Sequence, residues 1–132
     1  MLRQRIITAL ILLAILLPAL FATSPWPFAV VSLVMIAAAG WEWGRLNALV
    51  SPAAVGLGVA LAVACGLTLA GSWSTQAPRP LWWLTTALWV TGGTLALRAG
   101  PQVWPRLSTT LRIVLGAGLL WAAWLALVHA RT

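Results

Sequence analysis

Between Arg5 and Glu42 the chain reads IITALILLAILLPALFATSPWPFAVVSLVMIAAAGW, residues 6–41, which is 36 positions without a charge. About 20 apolar residues suffice to cross a bilayer once as a helix. A run this long must therefore turn back on itself. Thr23-Ser24-Pro25-Trp26-Pro27 supplies the turn: two prolines break the helix, two hydroxyls tolerate water, and the indole suits the headgroup region. The stretch predicts two antiparallel spans, at about 6–22 and 28–43.

Working outward, a second uncharged run of 33 residues lies between Arg45 and Arg79. Its ends, Asn47 to Pro52 and Ser72 to Pro80, are polar and contain proline, so one span remains, at about 53–71. Two more apolar segments, at about 81–97 and 113–128, are bounded by arginines. The expectation is an all-α membrane protein with about five transmembrane helices. A cytoplasmic N-terminus puts Arg3, Arg5, Arg45, Arg98, Arg106 and Arg112 on one side and leaves only Arg79 and Arg131 on the other, as the positive-inside rule prefers. Seven of the ten tryptophans, Trp26, Trp41, Trp43, Trp73, Trp82, Trp83 and Trp104, fall at or near predicted helix ends, where an indole buries its ring and keeps its N–H wet. Trp89, Trp121 and Trp124 sit within spans.

Composition excludes the main alternatives. The 132 residues are 62% hydrophobic and 7% charged, and nine charged side chains with one histidine cannot cover the surface of a water-soluble domain. The net charge of +7 would suggest nucleic acid in a soluble protein. Here the arginines punctuate apolar runs rather than cluster on one face, so no nucleic-acid partner is expected and the bilayer is the partner instead. Cys65, the single cysteine, reads as a small hydrophobe. Arg3 and Arg5 before an apolar core resemble a signal peptide, but Leu20 stands two positions before Ala22 where cleavage needs a small residue, and Pro25 follows the other possible site. A retained anchor is expected.

Lipid tails give helices no hydrophobic reason to associate, so small residues mark where backbones approach. In the third span Ala54, Gly58, Ala62, Gly66 and Ala70 recur every four residues, and in the fifth Gly118, Ala122, Ala126 and Ala130 do the same. The first stripe is read as a packing face; the second is equally what an Ala- and Gly-rich sequence produces by accident. Such faces also permit a homo-oligomer.

Chemistry-bearing residues are few. Nucleotidyl transfer uses several carboxylates to hold Mg²⁺ against phosphate oxygens, and this chain has one, Glu42. Without Asp or Lys and with a single His, no Ser/His/Asp set, zinc site or P-loop can be assembled. No catalytic, cofactor-binding or metal-ligating residue is assigned, and no cofactor is expected to be bound by this chain. Glu42 reads as an interfacial ion pair with Arg45, three residues on, with substrate binding as the alternative. Arg3, Arg5 and Arg45 are candidate lipid-headgroup contacts expected to meet on the cytoplasmic face, although topology signalling explains them equally. His129, with no acidic neighbour in sequence, reads as an interfacial polar residue.

Two stretches carry a family resemblance: Met1-Leu2-Arg3-Gln4-Arg5-Ile6-Ile7-Thr8-Ala9, and Ala38-Ala39-Gly40-Trp41-Glu42-Trp43-Gly44-Arg45-Leu46. Both resemble the start of bacterial phosphatidate cytidylyltransferase (CDP-diacylglycerol synthase), in which a basic-x-Arg-Ile-hydrophobic-Thr/Ser-Ala opening precedes an apolar hairpin ending in Trp-Glu-Trp/Tyr. From Leu111 to Leu127 the likeness is one of hydropathy and a basic start alone. The resemblance implies a multi-pass enzyme of the bacterial inner membrane that joins CTP and phosphatidate into CDP-diacylglycerol and pyrophosphate, with Mg²⁺ held by acidic residues. The family's C-terminal motif, rich in Asp, Lys, Arg, His and Gly, has no counterpart here. The chain is accordingly expected to be the N-terminal membrane portion of such an enzyme, or a truncated product, inactive alone. The competing class is a small non-enzymatic membrane protein, such as an assembly subunit or transporter component.

Overall fold

Proline sits in the first turn of three of the five long helices, where its missing N–H costs nothing and its fixed φ is already helical. The computed structural model describes residues 1–132 and contains helices and turns without strands. α1 spans Leu2–Phe21, α2 Trp26–Leu46, α3 Ser51–Ala70, α4 is the single turn Trp73–Gln76, α5 spans Arg79–Ala99 and α6 Thr109–Arg131, with a 3₁₀ segment at Pro101–Arg106 between the last two. Pro27, Pro52 and Pro80 open α2, α3 and α5. α6 is opened instead by Ser108, whose hydroxyl accepts a hydrogen bond from the Leu111 N–H at 3.2 Å. Pro18 lies inside α1 without ending it.

The predicted break forms but is shorter than Thr23 to Pro27: residues 22–25 are non-helical, Trp26 and Pro27 already belong to α2, and the Trp26 N–H donates to the Ser24 hydroxyl at 3.4 Å. Two turns use left-handed backbone at non-glycine residues, Ala48 and Ser72, each with φ of 62°. Gly100, with φ 72° and ψ 178°, ends α5 in a conformation open essentially to glycine alone.

Four helices, α1, α2, α3 and α6, are long and apolar enough to cross a membrane. α5 has the length but falls short on apolarity. Its threonines soften this, since Thr85, Thr91 and Thr94 donate to the carbonyls of Leu81, Ala87 and Val90 at 2.6–2.8 Å, one turn back. Arg79 and Arg98 stand near its two ends, which makes α5 the candidate for a fifth span beside the four of this multi-pass membrane protein.

α2 is the hub, packed most extensively on α3, then on α6, and touched by α1. Close approach of α2 and α3 rests on glycine: a Cβ on Gly40 would stand 3.2 Å from the Gly58 Cα, and one on Gly58 would stand 2.6 Å from the Ala37 carbonyl oxygen. A four-residue repeat advances about 400° around an α-helix, so a strict stripe drifts about 40° per step. The buried positions of α3 are accordingly Ala54, Gly58, Leu61 and Cys65, and the predicted stripe leaves the interface after Gly58. In α6 only Ala122 of the predicted stripe is buried; Gly118, Ala126 and Ala130 are exposed. The core lies where Cys65 of α3 meets Trp124, Leu125 and Val128 of α6, flanked by Leu33 and Ile36 of α2 and by Leu81 and Trp82 of α5. Beyond that contact α5 buries no residue.

Candidate functional site

Alternating helix directions gather the loops at two ends, and most of the arginines belong to one of them. That end is built on Trp41-Glu42-Trp43-Gly44-Arg45, the last turns of α2. On a helix, residues 41 and 45 share a face and residue 43 points nearly the opposite way. The Arg45 guanidinium accordingly lies 5.2 Å from the Trp41 ring centroid, and its Nη1 stands 3.7 Å from Glu42 Oε1. These two side chains are 56% and 57% exposed. Arg3 and Arg5 sit on the exposed first turns of α1, and no ion pair or hydrogen bond of their side chains joins them to Arg45.

Trp43 turns inward. Its indole N–H donates to the Arg112 carbonyl at 3.2 Å, and its ring lies against the α6 backbone at Gly116, where a Cβ would come within 2.1 Å of it. Trp104, from the 3₁₀ segment, meets it edge-on at 5.7 Å between centroids. The Arg112 guanidinium lies 5.9 Å over Trp104, and its Nη2 donates to the Thr109 hydroxyl at 3.2 Å, while its Nε is buried without a partner. Asn47, 3% exposed, caps the end of α2 by donating from Nδ2 to the Trp43 carbonyl at 2.9 Å, and its Oδ1 is also buried without a partner.

The arrangement is a belt of tryptophans carrying two fixed guanidinium groups, Arg45 and Arg112, on different faces. Guanidinium is the side chain best suited to phosphate oxygens. The structure brings together no group of three or more His, Cys, Asp or Glu side chains.

At the opposite end Arg131 and His129 are hydrogen-bonded by backbone carbonyls rather than paired with carboxylates. Arg131 Nη2 donates to the Ala22 carbonyl just past α1, where a cation also suits the helix dipole. His129 Nδ1 donates to the Ser74 carbonyl at 2.7 Å, which also accepts from the Thr132 hydroxyl at 3.0 Å. The imidazole lies 5.4 Å from the Trp82 ring centroid.

Sequence reasoning singled out Glu42 and Arg45 and passed over Arg112, Asn47 and Gly116. The available signal was the spacing itself, which puts Trp41 and Trp43 on nearly opposite helix faces and so in different surroundings.

A family model described as the cytidylyltransferase family matches residues 3–131. No solved structure matches the chain.

Proposed function

The chain belongs to the cytidylyltransferase family, and on that premise we propose that it is the membrane-embedded portion of a phosphatidate cytidylyltransferase in a bacterial inner membrane, with its N-terminus in the cytoplasm. In the reaction, a phosphate oxygen of phosphatidate attacks the α-phosphorus of CTP. The new P–O bond replaces the bond to the β-phosphate, and pyrophosphate leaves with the electron pair, giving CDP-diacylglycerol. The family match over nearly the whole chain carries this reading.

The residues present do not fit the Mg²⁺ that such enzymes use. Glu42 is the single carboxylate, exposed and beside Arg45, and no other acidic group is available to share an ion with it. No metal-dependent step is therefore assigned to these residues, and under this proposal the carboxylates that catalysis calls for would have to come from another polypeptide segment. The part left to this chain is to present lipid to the site, with Arg3, Arg5 and Arg45 at the headgroup level and anionic phosphate as their partner, each cation near the surface contributing about 1 kcal/mol.

A single carboxylate also favours a second reading, a small non-enzymatic membrane protein. Grafting separates the two. The catalytic region of an active cytidylyltransferase would be fused after Thr132 and CTP-dependent CDP-diacylglycerol formation measured in a strain with its own enzyme depleted. Activity that depends on residues 1–132 is expected. A chimera that inserts and melts normally yet stays inactive would favour the non-enzymatic protein.

A further inference from the structure

We draw no further inference here: the strongest candidate, the uncovered face of α5 between Leu84 and Leu97, held to the bundle at its start through Leu81 and Trp82 and unburied along its length, carries nothing because nothing in the structure shows what covers it.

Discussion

The indole of Trp43 occupies the space that a side chain at Gly116 would need. This one contact joins the end of α2 to the start of α6, and the indole N–H on the Arg112 carbonyl fixes its direction. Gly116→Ala should therefore destabilise the protein by overpacking, by about 1–3 kcal/mol. Trp43→Leu should lose ring packing but relieve the clash, so the double variant should cost less than the sum of the single ones. Thermal unfolding in detergent reads all three. A Gly116→Ala protein as stable as the parent would show that the indole does not sit there.

How much of this was legible beforehand depends on the kind of residue. The long helices and the turn between the first two were, because charges are costly in lipid and the pair Pro25 and Pro27 fits a helix only at its start, and both facts are local to the sequence. The tertiary contacts were not. In lipid, buried and lipid-facing surfaces are both apolar, so periodicity does not say which face of α2 or α6 turns inward. Trp124, read only as lying within a span, is a core residue because α6 happens to lie beside α2 and α3. At the candidate site the Glu42 and Arg45 spacing was legible because it is one helical turn, whereas Trp43 and Arg112 are 69 positions apart.

Ser32 and Trp124 give a second test. The Ser32 hydroxyl donates to the Ala29 carbonyl at 3.0 Å and accepts from the Trp124 indole N–H at 3.1 Å, with both side chains buried. Ser32→Ala leaves that N–H without a partner in an apolar surrounding, which costs about 1–3 kcal/mol. In a Trp124→Phe background the orphan donor is gone. The same serine change should then cost clearly less, as judged by melting of the four proteins, and equal costs in both backgrounds would refute the hydrogen bond.

Orientation is tested by chemistry on intact cells. Gln76 and Gln102 are exposed, one on α4 and one in the 3₁₀ segment, at opposite ends of α5. Cysteines placed there in a Cys65→Ala background would be challenged with an impermeant thiol reagent. Labelling at 76 and protection at 102 are expected from the arginine asymmetry. The reverse pattern would place the N-terminus outside.

The last test concerns Glu42 and Arg45, where ion pairing and substrate contact make different demands on the same side chains. With both side chains more than half exposed, screening keeps the pair to about 0.2–1 kcal/mol. Glu42→Gln should therefore lower stability only slightly. Arg45→Gln should lose more than the pair, because its guanidinium also lies over Trp41, and such contacts at exposed sites contribute about 0.5–1 kcal/mol. A double-mutant cycle read by thermal unfolding isolates the pair from that stacking term. The same variants in the chimera fused after Thr132 then read function. If Glu42 serves only to hold Arg45, Glu42→Gln should leave turnover nearly unchanged while Arg45→Gln raises the KM for phosphatidate. Zero coupling in the melting cycle together with lost turnover in Glu42→Gln would reverse the assignment and make the carboxylate a substrate contact.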